Sequence, residues 1–173
     1  MTTAVVDTNV LVTANSEASQ ASANCIKNCV QYLDEIARNG QLVLDDGWRI
    51  LREYMRQARS TGQPGPGDAF LKWVLTNQAN EHRCPRVRIS TRGDAEDEFV
   101  EFPHDPALAG FDRADRKFAA VARASPLQPP VANATDTDWW AFREPLARYG
   151  VSVEFLCPEL MGSRRVGTRR VRR

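Results

Sequence analysis

"PPVANATDTDWW" (Pro129 to Trp140) runs from a short apolar segment through an acidic turn into two tryptophans. "PPVANAT" carries a strand signal, and "WWAFREPLARYG" reads as a helix that Pro145 delays or kinks. The same strand-then-helix alternation recurs along the chain. "AVVD" at the start is a buried-strand signal. "SQASANCIKNCVQYLDEIARNG" sets Ala23, Ile26, Val30, Leu33 and Ala37 at helical spacing, with Gly40 at the stop. "QLVLD" reads as a second strand. "DGWRILREYMRQA" reads as a helix with Trp48, Leu51 and Met55 on one face and Asp46 as its N-cap. The turn cluster "STGQPGPG" (Ser60 to Gly67) separates it from a further helix, "DAFLKWVLTNQ". "RVRIS" and "FVEFP" alternate like short strands, and the acidic "GDAEDE" between them reads as an exposed loop. "FDRADRKFAAVARAS" is a helix with Phe118, Val121, Ala122 and Ser125 inward, and "VSVEFLC" is the last strand. Alternation of this kind defines an α/β domain with a mostly parallel sheet.

At 173 residues the chain is long enough for one ordinary hydrophobic core. It contains no apolar run of membrane-spanning length. "MTTAVVDTNV" has no basic region followed by an apolar stretch, so a cytoplasmic protein is expected. Cys25, Cys29, Cys84 and Cys157 form no C-x-x-C pair, and His82 and His104 are the two histidines. A structural zinc site is therefore not expected, and the cysteines read as buried free thiols. The net charge of +1 hides an asymmetry. The last eleven residues, "SRRVGTRRVRR", hold six arginines; without them 17 basic residues face 22 acidic ones. An acidic body thus carries a basic tail.

In an open parallel sheet, chemistry gathers at the carboxyl ends of the strands. Asp7 directly follows "AVV", and Asp136 follows "PPVANAT", so both acids fall at one edge of the sheet. Asp112 and Asp115 open one helix, and Glu53 lies on the helix after the second strand. Ionised carboxylates gathered in one place repel one another, and a divalent cation removes the repulsion. Hard oxygen donors suit Mg2+ or Mn2+ better than zinc. Each acid also has an ordinary alternative. Asp7, Thr8 and Asn9 suit a turn, Glu53 suits a solvated helix face, and Asp112 and Asp115 suit a helix start. One of Asp136 and Asp138 suits the N-cap of the helix near Trp139. Asp136, nearer the strand, is expected to be the ligand, and Asp138 the cap or a further metal group. Trp139 and Trp140 read as packing residues.

The order "VVDTNVLV", "ILREY", "ADRKFAAVA", "ATDTDWW" resembles the successive acidic motifs of the PIN-domain nucleases. The resemblance covers residues 4 to 156. It implies a three-layer α/β/α sandwich with a central, mostly parallel sheet of four to five strands. Residues 1–158 would form one domain, 57–103 a family-variable insertion, and 159–173 a flexible basic tail. It further implies a metal-dependent endoribonuclease with Asp7, Glu53, Asp115 and Asp136 as catalytic ligands of Mg2+ or Mn2+, and Asp138 as a further metal group. Thr8, Asn9, Asp112 and Thr135 would support them. Arg52, Arg56, Arg164, Arg165, Arg169 and Arg170 would touch RNA, with Arg59 on the same side of the Glu53 helix. RNA is the expected substrate and DNA the other option. An antitoxin, a defence-system protein or a second copy are the partners to consider. Two further functions fit parts of the pattern. "DTDW" matches the D-x-D of aspartate-nucleophile phosphatases and phosphotransferases. A PIN-like module without turnover would bind RNA or a partner.

Overall fold

The structure, a computed structural model, describes residues 1–58 and 64–162. Arg59, the first half of the Ser60–Gly67 turn cluster (60–63) and the arginines of the tail lie outside the described residues.

Four strands form the central sheet, all parallel: β1 (Thr3–Val6), β2 (Gln41–Leu42), β7 (Val131–Asn133) and β8 (Val153–Phe155), in the order β2-β1-β7-β8. Val5 pairs with Val131, and Val131 with Val153. The α/β class and the parallel sheet therefore agree with the sequence reading. "QLVLD" divides into β2 and β3 (Leu44–Asp45) because it has a partner on each edge. Val43 N–H donates to Ala4 O, whereas Leu42 and Leu44 donate to Arg83 and Pro85. β3 pairs in parallel with β4 (Arg86–Val87).

Helices flank this sheet in a three-layer arrangement. α1 (Thr8–Ala14), α2 (Ala23–Asn39) and α4 (Pro66–Asn77) pack on one another; α3 is Arg49–Gln57, and α5 (Arg116–Ala124) lies against β1 and β7. One continuous core, from Ala4 and Val5 to Val151 and Cys157, runs between these layers. Gly40 ends α2 as expected. A Cβ there would sit 2.5 Å from Thr2 O and 2.8 Å from Ile36 Cα, so only glycine lets the chain turn so tightly into β2. Among the described residues no helix is long and apolar enough to cross a membrane.

Several expectations are corrected. Thr8 and Asn9, read as turn residues with Asp7, instead open the helix α1, which Asp7 caps by accepting from Asn9 N–H at 3.0 Å. The buried stripe of α2 is Cys25, Cys29, Tyr32, Leu33 and Ile36; Ala23 is exposed, and Ile26, Val30 and Ala37 are its half-buried margin. Trp48, not Asp46, is the N-cap residue of α3 and makes no side-chain cap bond; Asp45 instead takes the first helical N–H groups, accepting from Arg49 and Ile50 N–H at 3.0 and 2.9 Å. α3 buries Ile50, Leu51 and Tyr54 and leaves Trp48 and Met55 outside. "GDAEDE" is not a loop. It supplies most of β6 (Ala95–Phe99), antiparallel to β5 (Thr91–Arg92), and the strand ends at Phe99 rather than continuing through "FVEFP". Arg116 explains why this acidic strand is held: its guanidinium takes both oxygens of Glu98, at 2.7 and 2.8 Å. The last helical region begins at Thr137 and breaks at Phe142 into α6 (Thr137–Ala141) and α7 (Arg143–Ala147). Pro145 accounts for the break, since its ring conflicts with the carbonyl four residues back and it has no N–H to donate. Finally, two of the four cysteines are not free. Cys25 and Cys157 form a disulfide, whereas Cys29 and Cys84 are buried thiols.

Candidate metal centre

The carboxyl ends of β1 and β7 lie side by side because the two strands are hydrogen-bonded neighbours. Each is followed by a single residue or short turn and then a helix, and each helix is capped by an aspartate: Asp7 for α1 and Asp136 for α6. Asp136 accepts from Asp138 N–H at 2.8 Å. A cap uses only part of a carboxylate's acceptor capacity, leaving lone pairs to point elsewhere. The expected division of labour between Asp136 and Asp138 is therefore corrected. Asp136 is both the cap and the inward acid, and Asp138 stands half-buried beside it.

Asp115 completes the group. The expected capping role falls to Asp112, which accepts from Ala114 N–H at 2.9 Å. Asp115 precedes α5 without capping it, and its carboxyl turns toward the two strand ends. One carboxylate oxygen from each of Asp7, Asp115 and Asp136 lies within 4.8 Å of the others. Asp115 Oδ2 is buried with no hydrogen-bond partner. Burial pushes the Asp115 carboxyl up to about 9, helped by the neighbouring charges of Asp7 and Asp136 and by a hydrogen bond shared with Asp136. Burial likewise raises Asp7 to about 7 against the opposing hydrogen bonds from Asn9 and Trp139, with Glu53 and Asp136 adding to the rise. Asp138 is also raised, by burial and by Asp136 and Asp112.

The surrounding residues fix these three acids in place. Trp139 is fully buried, and its indole N–H donates to Asp7 Oδ2 at 2.7 Å. Trp140 is half-buried and packs edge-on against Phe155. Asn9 Nδ2 donates to Asn133 Oδ1 at 2.8 Å, and Asn9 Oδ1 accepts from Ala134 N–H at 2.8 Å. Asn133 in turn donates to Asp136 O at 3.0 Å. The two acidic turns are thus laced together by two asparagines. Thr135 lies half-buried in the second turn and takes no part in this lacing.

Glu53 reaches the same cavity but has another partner. Its Oε1 accepts from Thr8 Oγ1 at 2.7 Å, and its Oε2 forms an ion pair with Lys117. The cavity, about 270 Å³, is lined by Asp7, Thr8, Asn9, Glu53, Asp112, Asp115 and Asp136, together with Val12 and Gln57. All four acids expected as catalytic therefore converge. Three form the tight group, and Glu53 stands at its edge. Lys117 is the residue the sequence reading passed over; its place two residues after Asp115 was the available signal. Asn133 was another, since a buried asparagine ending a strand must find partners. Arg52 and Arg56 are exposed on α3 and line a neighbouring cavity rather than this one.

Compared with protein-family models, curated proteins and solved structures, the chain matches none.

Proposed function

We propose that the protein is a metal-dependent endoribonuclease of the PIN-domain type. The observation that carries this is the three-aspartate group with the buried, unpartnered oxygen of Asp115. Buried polar atoms are nearly always satisfied, and a buried carboxylate oxygen without a donor is a place for a cation. The donor set is all oxygen, which fits Mg2+ or Mn2+. Asp7, Asp115 and Asp136 would hold the ion, with Glu53 next to it. An ion held there would polarise a phosphoryl oxygen and orient and activate a bound water for attack.

The chain's own residues set the rest. Trp139 and Asn9 N–H fix both oxygens of Asp7, so its remaining lone pairs are aimed without loss of side-chain freedom on binding. Lys117 holds Glu53 by charge and places a cation beside the position where a phosphate would sit. The aspartate-nucleophile alternative is less well supported. Asp136 is held by capping α6 and by a hydrogen bond with Asp115, whereas an attacking carboxylate must be free to move onto the substrate.

The test is cleavage of labelled single-stranded RNA and matching DNA with Mg2+, Mn2+ or EDTA. Asp136→Asn keeps the α6 cap but removes the charge. It is expected to lower the rate roughly a hundred-fold or more, since metal-ion stabilisation supplies several kcal/mol. Cleavage that persists in EDTA, or in folded Asp136→Asn, would sink the proposal.

A further inference from the structure

Three of the four cysteines meet at one place. Cys25 and Cys29 are one turn apart on α2, so they share a face. Cys157 follows β8 and arrives from the other end of the chain. The sulfurs of all three lie within 4.8 Å of one another, and all three residues are buried. The Cys25–Cys157 bridge uses two of them and leaves the Cys29 thiol against it. Glu159 stands at the surface beside this group, where its Oε1 accepts from Ser22 Oγ at 3.2 Å.

The bridge is not all that brings the sulfurs together. Asn28 Nδ2 donates to Leu156 O at 3.0 Å, directly before Cys157. Ser22, the N-cap of α2, holds Glu159 just after it. β8 itself is fixed by its pairing with β7. With those contacts in place, reduction leaves three thiols and a carboxylate gathered at one spot. Sulfurs around a tetrahedral zinc ion, with Zn–S about 2.3 Å, lie about 3.8 Å apart, so the group needs only a small adjustment to surround an ion. The lack of C-x-x-C pairs does not exclude such a site: Cys25 and Cys29 are a C-x3-C pair, within the spacings that zinc sites use. Exchange within the trio is the competing use. Burial pushes the Cys29 thiol up to about 12, with Glu159 adding to the rise, so at neutral pH it stays protonated and attacks the bridge slowly. A metal ion, by contrast, takes the protons off the thiols it binds.

We infer that the reduced chain holds a zinc ion through Cys25, Cys29 and Cys157, with Glu159 as the fourth donor, and that the bridge and the ion are alternative states of one site. Two thiols of a reductant supply the electrons: they join as a disulfide, and Cys25 and Cys157 each gain a proton. Binding Zn2+ then releases the three thiol protons. The same exchange, run backwards by a small disulfide, re-forms the bridge and releases the ion. Thiolates select zinc, whereas the all-oxygen aspartate group suits Mg2+ or Mn2+, so donor softness sorts two ions between two centres. The inference does not depend on the proposed nuclease activity.

The experiment titrates Co2+ and then Zn2+ into the full chain, reduced with a phosphine, freed of it and kept anaerobic. Excess Mg2+ is present throughout, since it competes for carboxylates and not for thiolates. Wild type is expected to take up one equivalent of Co2+ with a sulfur-to-cobalt charge-transfer band and the strong visible bands of a tetrahedral thiolate site, and Zn2+ should bleach both. The unreduced protein should give neither. Cys29→Ser keeps the bridge and should weaken Zn2+ roughly a hundred-fold or more, beyond the loss of an outer-shell partner. Glu159→Gln should weaken it about ten-fold and keep the charge-transfer band. Cys84→Ser should bind as wild type does. Zinc should also raise the melting temperature of the reduced chain, a readout that survives partial unfolding without metal. No charge-transfer band and no zinc-dependent melting shift in the reduced wild type overturns the site. Undiminished zinc binding in Cys29→Ser overturns the three-cysteine set, and unchanged affinity in Glu159→Gln strikes the carboxylate from it. A Cys25–Cys29 or Cys29–Cys157 bridge in peptide maps of the unreduced protein, with no metal uptake after reduction, would make the trio a disulfide-exchange group instead.

Discussion

Trp139 Nε1 donates to Asp7 Oδ2 at 2.7 Å, joining the last acidic turn to the first across 132 residues. Both partners are buried, so the bond is made in a medium where its loss is not repaired by water. Trp139→Phe keeps most of the aromatic packing against Phe111 and removes only the donor. It should cost about 1–3 kcal/mol of stability. It should also weaken Mg2+, because Asp7 loses an interaction that favours its charged form. Urea unfolding with and without Mg2+ reads both. An unchanged midpoint in each condition would show that the indole merely fills space.

Lys117 holds Glu53 at the margin of the three aspartates. Both side chains are largely shielded, 11% and 19% exposed. Lys117→Met should destabilise the metal-free protein by up to roughly 3 kcal/mol, since Glu53 is left without a cation beside three other acids. Saturating Mg2+ should then restore more stability to the variant than it adds to wild type, because the ion takes over the neutralising role. Thermal unfolding across an Mg2+ titration measures this. A smaller response in the variant than in wild type would place Lys117 outside the electrostatics of the cluster.

Asp7 and Asp136 were legible because strand ends are easy to read: an apolar run stops and an acid follows. Parallel pairing then brings the two together, whatever the intervening residues do. Glu53 and Asp115 were legible only through motif order, since nothing local distinguishes them from solvated helix acids. Lys117, Asn133 and the Trp139 indole escaped because their partners lie far away in the chain, on Glu53, Asn9 and Asp7. Pattern reading fixes which face of an element is inward, not which polar group it meets there. The hairpin was missed for a related reason. An acidic strand looks like a solvated loop until buried Arg116 is seen to hold Glu98. Trp48 lies outside the core although it is hydrophobic, because it is the N-cap residue in a left-handed turn before α3, whose buried stripe is Ile50, Leu51 and Tyr54.

The Cys25–Cys157 bridge closes a span of 132 residues and ties the segment after β8 to α2. Restricting so long a loop in the unfolded chain stabilises the fold by about 4–5 kcal/mol on the chain-entropy model. Reduction, or Cys157→Ser, should therefore lower the unfolding free energy by roughly that amount. Cys84→Ser, which breaks no bridge, should cost far less. Peptide mapping without reductant, together with denaturant unfolding in the presence and absence of reductant, checks the pairing and its effect. Alkylation of all four cysteines in the unreduced, unfolded protein would remove the bridge.

The acid cluster also sets a pH dependence. Asp115 is protonated in the metal-free fold up to about 9, whereas in the unfolded chain it ionises near 3.8. Between those values the native state binds the extra proton, so stability falls as pH rises through the window. Asp7, raised to about 7, adds to the fall over the lower part of it. Asp115→Asn cannot ionise and should flatten the curve. Mg2+ should reverse the trend in wild type, since the ion needs the ionised carboxylates and competes with protons for them. The measurement is melting temperature against pH, in EDTA and in Mg2+, for wild type and Asp115→Asn. Parallel curves for the two proteins in EDTA would show that Asp115 is ionised in the fold.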